Sequence, residues 1–149
     1  MSGQSPLSWI DPETGLEWQD ESPGRMTWAE ALAYADSLSL NGKADWRLPT
    51  CIELETLLDR ARYRPVMRTG VPFRDTLSYW SSTTFGRNKN SAWIVMFDGA
   101  YVLSYYKTNA YHIRCVRGQD TAPGIMRRNN NGKSFFDVFQ KRLHGMPRL

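Results

Sequence analysis

Asp45-Trp46-Arg47-Leu48-Pro49-Thr50-Cys51-Ile52-Glu53-Leu54-Glu55 holds an abrupt change of backbone habit. Pro49 keeps Leu48 out of the helical region. Thr50 can accept the first free amide of a helix, and Glu53, three residues on, can return to the Thr50 amide and close a capping box. Ile52, Leu54, Leu57 and Leu58 follow at roughly helical spacing, which predicts a helix over about 51–61. An extended arm carrying Trp46 and Arg47 thus turns straight into a helix. This is a structural junction, not a catalytic one.

Upstream, Leu7–Ile10 and Leu16–Gln19 flank the turn-rich Asp11–Gly15, which predicts an N-terminal hairpin. Thr27 and Glu30 form a second capping box. They open a helix with Trp28, Ala31, Leu32, Ala35 and Leu38 on one face, and Asn41-Gly42 is expected to stop it. Downstream, Arg60, Arg62, Arg64, Arg68 and Arg74 fall in a stretch broken by Pro65, Gly70 and Pro72. A solvated loop is expected there, with an anion-binding surface as the alternative.

From Tyr79 the pattern changes to strands: Tyr79–Thr83, Ala92–Phe97, Ala100–Lys107 and Tyr111–Arg117. Phe85–Asn90 is a polar loop, Asp98-Gly99 a two-residue hairpin turn, and Thr108–Ala110 a further turn. In the third of these strands Tyr101, Leu103 and Tyr105 alternate with Val102, Ser104 and Tyr106, so both faces carry aromatics and neither is marked as the buried one. Two helices followed by a small antiparallel sheet imply an α+β domain.

The chain has 149 residues, 41% of them hydrophobic, enough for one domain with a real core. Nowhere do 18 apolar residues run together, so no membrane span is expected. The first residues lack a basic segment and an apolar run, so no signal peptide is visible. From Gln119 onward six basic residues (Arg127, Arg128, Lys133, Lys141, Arg142, Arg148) face two acids (Asp120, Asp137), and the whole net charge of +4 resides there. The division expected is a domain over 1–118 and a tail over 119–149. The tail combines a basic linker with a short helix opened by Ser134, bearing Phe135, Phe136, Val138, Phe139 and Leu143. Arg127, Arg128, Phe135, Phe136, Phe139 and Leu143 are its candidate docking residues, in cis or on another chain.

Cys51 and Cys115 leave two main states open, a bridge or two buried thiols. Their spacing fits no zinc motif, although His112 lies three residues before Cys115. No metal or cofactor is expected.

The order of the motifs resembles the Lcl C-terminal-like domain family. Thr14–Trp18, Thr27–Ala31, Asp45–Thr50 with Glu53, Leu54 and Leu57, Tyr79–Thr83, Ala92-Trp93, Phe97–Gly99 and Ile113–Arg117 carry the likeness across roughly residues 11–118. The resemblance implies a fold similar to C-type lectins: two helices packed on a small antiparallel sheet with long loops, here with a C-terminal extension. It also implies a surface- or virion-associated binding module; some members bind sulfated polysaccharides and some form trimers. Many members have a cysteine in the first helix that can bridge to the last strand; Ala33 and Ala35 stand nearby here, leaving Cys51 as the only possible partner for Cys115. The Glu-Pro-Asn, Gln-Pro-Asp and Trp-Asn-Asp triplets of calcium-dependent sugar sites are absent. The Arg-Leu-Pro-Thr junction also resembles the formylglycine-generating enzymes, but those are about twice as long and use two cysteines near the end of the domain, where this chain has one.

The expected function is therefore a binding module without chemistry, recognising a glycan, sulfated ones included, or a protein. In variable members of this fold the last strands and loops form the ligand face. The matching residues are Phe85, Arg87, Asn88, Asn90, Tyr101, Tyr105, Tyr106, Lys107, Asn109, Tyr111 and His112, and the Tyr and Asn among them suit recognition. The alternative is a structural component of a virion or surface appendage, assembled as a homo-oligomer through the tail. Six basic residues can also contact phosphates, but a short, phenylalanine-led tail argues against nucleic acid.

Overall fold

A computed structural model describes residues 7–62, 66–74 and 76–118. The tail from 119, with its six candidate docking residues and its expected helix, lies outside the described residues. So does Arg64.

The fold is α+β. The N-terminal hairpin forms as expected, β1 (Ser8–Ile10) antiparallel to β2 (Glu17–Gln19). A short β3 (Arg25–Met26) leads into α1 (Trp28–Ser37). The Thr27 hydroxyl accepts from the Glu30 amide at 3.3 Å, and the Glu30 carboxylate accepts from the Thr27 amide at 2.9 Å. Ala31 and Ala35 face the core, and Leu32 stays exposed. Asn41-Gly42 does not terminate α1, which ends at Ser37. Both residues have positive φ (59° and 74°), and Leu40 and Lys43 exchange two backbone hydrogen bonds across them. They form a tight hairpin turn of the kind that needs φ > 0 at both centres.

The Asp45–Thr50 arm behaves as its sequence implies. Arg47 exchanges backbone hydrogen bonds of 2.9 Å with Val116, and Trp46 is buried with its indole N–H donated to the Leu40 and Lys43 carbonyls. Thr50 caps α2 (Cys51–Glu55), and Glu53 does double duty. Its carboxylate accepts from the Thr50 amide at 2.8 Å and takes a bidentate pair of 2.7 Å bonds from Arg47. The helix is far shorter than the expected 51–61. The amides of Thr56, Leu57 and Leu58 each bond three residues back, and the Thr56 hydroxyl donates to the Glu53 carbonyl at 2.6 Å. These tight turns end the helix while leaving Leu57 and Leu58 buried.

The following stretch is not a solvated loop. Val66, Met67, Val71 and Phe73 are buried, and its described arginines bond to the chain itself. Arg68 pairs with the buried Asp11 at 2.5 Å and with Glu13, tying this stretch to the first hairpin. Arg60 donates to the Ala100 carbonyl, Arg62 to the Thr69 hydroxyl and Arg74 to the Arg68 carbonyl. The alternative of a shared anion-binding surface is not assembled among them.

Then come β4 (Ser78–Thr84), β5 (Ser91–Met96) and β6 (Tyr101–Tyr106). The β5–β6 connection is not a two-residue turn at Asp98-Gly99. Met96 pairs with Tyr101, leaving Phe97–Ala100 as a four-residue loop in which Ala100 takes φ 60°. Phe97 and Ala100 are both buried, and packing draws both into the loop. The last expected strand is broken in two, β7 (Tyr111–His112) and β8 (Val116–Arg117), because the chain changes sheets between them. One sheet runs β1-β2-β8, the other β3-β7-β4-β5-β6, antiparallel except for the parallel β4–β7 contact.

Both faces of the five-stranded sheet are covered at β4 and β5, whereas on β6 Tyr101, Tyr105 and Tyr106 stay exposed, on one face and the other. Tyr79, Val95 and Val102 pack with Leu54, Leu57, Leu58, Met67 and Trp18 on one side. Trp80, Ala92, Ile94 and Leu103 pack with α1, Trp46 and Leu48 on the other. Among the described residues no helix is long and apolar enough to cross a membrane.

Candidate aromatic binding face

The α1 side of the large sheet is covered unevenly. The helix packs against β3 and β4 and shares a buried cluster with Ala92 and Ile94 of β5, whereas Tyr101 and Tyr105 on β6 stay exposed. On β6 the side chains of Tyr101, Leu103 and Tyr105 point to this side, alternation placing them together. Tyr101 is 43% and Tyr105 37% exposed, with half-buried Leu103 and Met96 beside them. From β7 the Tyr111 ring reaches in, its centroid 5.3 Å from that of Tyr105 and 5.1 Å from that of buried Trp80. Trp80, Tyr111 and Tyr105 therefore form a continuous aromatic run from core to surface. The Trp80–Tyr111 contact is edge-on and the Tyr105–Tyr111 contact tilted, and such ring pairs fix orientation as well as burying area.

Polar groups frame the face at its β7 end. Arg25 donates to the Ala110 carbonyl at 3.3 Å. The Tyr111 hydroxyl has its pKa pushed up, chiefly by burial and then by Tyr105; Arg25 and a hydrogen bond with Asn109 act in the opposite direction. It remains a neutral phenol, able to donate and accept.

Of the residues singled out from sequence, Tyr101, Tyr105 and Tyr111 come together, with Asn109 bonded to the last. The others do not join them. Tyr106, 61% exposed, points to the opposite side, and His112 sits edge-on to Tyr79 at 6.3 Å on that side. Phe85 packs edge-on to Trp93 at 5.0 Å. Asn88 is a turn former, its side chain accepting from the Asn90 amide, while Arg87 and Asn90 are exposed around that turn. Lys107 is held over the Trp28 ring at 3.9 Å and donates to Thr84 at 3.0 Å, so it joins α1 to the sheet. Sequence reasoning missed Arg25, Met96 and Leu103. The alternation along β6 named Leu103's side, but only the β5–β6 register brings Met96 beneath Tyr101.

The segment carrying Tyr111 is anchored by Arg114. This buried guanidinium donates to the Gln19 and Asp20 carbonyls and to the Tyr79 hydroxyl, and lies 3.8 Å over the Phe73 ring. Next to it Cys115 is a buried free thiol, its pKa pushed up to about 12 by burial. Cys51 is also free, and burial together with Glu55 pushes its thiol higher still. The bridge left open from sequence is therefore not formed. Neither thiol is activated as a nucleophile. Among the described residues no group of three or more His, Cys, Asp or Glu is placed to hold a metal ion.

No curated protein matches the chain. The model of the Lcl C-terminal domain family matches residues 8–117, from the first strand of the N-terminal hairpin to the last residue of β8. With every motif of the Asp45–Thr50 junction and of the strand region inside that span, the chain belongs to the Lcl C-terminal domain family.

Proposed function

We propose that the chain is a non-enzymatic binding module of C-type-lectin type, which takes a glycan or a protein partner on the face of Tyr101, Tyr105 and Tyr111. The observation that carries this reading is the exposed end of the Trp80–Tyr111–Tyr105 run. Its rings are oriented by packing that begins at buried Trp80, yet Tyr105 at its end, like neighbouring Tyr101, stands exposed to solvent. Aromatic planes with hydroxyl edges suit the apolar faces and hydroxyls of sugars, and equally the side chains of a protein partner, at low entropic cost.

The test is a glycan panel, neutral and sulfated, probed with the full chain at low and high salt. Tyr105→Ala should weaken the retained binding at least about tenfold, whereas Tyr106→Ala, on the opposite side, should leave it unchanged. Equal losses in the two variants would overturn the placement of the site. Loss of all binding at high salt in the unaltered chain would instead assign it to unspecific attraction of polyanions. A second reading, assembly of a virion or surface appendage through residues 119–149, rests on the concentration of the chain's +4 charge in that tail.

A further inference from the structure

The strand β6 ends the large sheet, and among the described residues no strand pairs with its outer edge. The Lys107 amide donates to the Asn90 carbonyl at 2.7 Å, which fixes the alternation of the β5–β6 ladder. Tyr101, Leu103 and Tyr105 turn their backbone groups toward β5; Val102, Ser104 and Tyr106 turn theirs outward. Proteins normally guard such an edge with a charge, a proline or a bulge. Tyr101–Tyr106 contains no charge and no proline, and the adjoining Lys107 is folded back over Trp28 and onto Thr84.

We propose that this edge pairs with the same edge of a second copy, antiparallel about a two-fold axis at Ser104. The edge is self-complementary in that register. Ser104 meets Ser104, and that pair can exchange both its hydrogen bonds; Val102 meets Tyr106, where the Tyr106 amide can donate to the Val102 carbonyl while the Tyr106 carbonyl already accepts from the Asn109 amide at 2.9 Å. No like charges face one another across the strands. On the α1 side Leu103 comes opposite Tyr105, and Tyr101 opposite Lys107, which carries its cation on Trp28. The two five-stranded sheets then run on as one. This pairing does not depend on what the aromatic face binds.

The test is the mass of the full chain in solution, by sedimentation over a wide range of concentration. The expected result is a shift from 17.2 kDa to twice that value as concentration rises. Ser104→Pro removes the two hydrogen bonds at the axis while leaving the β5–β6 ladder whole, and should raise the dissociation constant about thirtyfold. Ser104→Lys and Ser104→Glu should each weaken self-association, and an equimolar mixture of the two should restore it. Near-ultraviolet circular dichroism like that of the parent shows that each variant is folded. A parent that stays monomeric, self-association that all three variants leave intact, or a mixture no stronger than its parts would overturn the proposal.

Discussion

Glu17→Gln tests how the three-stranded sheet is held together at the end of the domain. Glu17 lies on β2 opposite Arg117 of β8 and is almost completely buried. Burial alone would raise its pKa, but hydrogen bonds from Ser8, Arg117 and Lys43 outweigh that and hold the carboxyl at about 2, against an ordinary 4.5. At about 1.4 kcal/mol per pH unit, that difference corresponds to about 3 kcal/mol of stability. Because the folded-state value is the lower one, the contribution is complete above about pH 4.5 and is lost as the pH falls toward 2. The amide cannot ionise, so the variant should be about 2–3 kcal/mol less stable at pH 7. The gap should then narrow through pH 4 and 3. Urea unfolding of both proteins at pH 7, 5, 4 and 3, followed by tryptophan fluorescence, measures it. A gap that stays constant with pH, or one under about 0.5 kcal/mol at pH 7, would refute the assignment. Asp45, also bound by Arg117, is present in both proteins and cancels in the comparison.

Two further outcomes follow from the same geometry. Arg47→Ala leaves the Glu53 carboxylate, whose side chain is fully buried, without its bidentate partner, and should cost about 3–5 kcal/mol in thermal or urea unfolding; a cost below about 1 kcal/mol would mean that the Thr50 amide alone satisfies Glu53. Gly99→Ala places a methyl 2.5 Å from the Tyr101 ring, so the exposed ring must swing aside. Stability should change by less than about 0.5 kcal/mol while ligand binding at the aromatic face falls, and unchanged binding would remove Tyr101 from that face.

What was legible in the sequence is what is decided locally. Both capping boxes are set by residues three apart, and both form as their spacing implies. The length of α2 was not legible, because Leu57 and Leu58 keep helical spacing although their backbones bond three residues back. Asn41-Gly42 carries one signal, positive φ, that serves a helix end and a tight turn alike, and only the reciprocal Leu40–Lys43 bonds decide between them. The arginine-rich stretch read as polar because its four buried apolar residues are scattered among charges that turn out to bond the chain's own carbonyls and acids. At the candidate site, composition marked the tyrosines, but alternation along β6 parts Tyr105 from Tyr106.

That separation also explains how one strand can offer two surfaces without conflict. Along β6, Tyr101, Leu103 and Tyr105 give their backbone groups to β5 and their side chains to the α1 side. The residues between them give their backbone groups to the outer edge and their side chains to the other side. The recognition proposed for the aromatic face would draw on the first set, and the pairing proposed for the edge on the second. Ser104 lies on the side away from Tyr105, so proline at 104 alters the edge without replacing any residue of the face. Were the edge closed by a second copy, Tyr105 of one chain would stand beside Leu103 of the other. The two aromatic faces would then form one surface, and a ligand long enough to span both would gain from their joint presentation even where a single face holds it weakly.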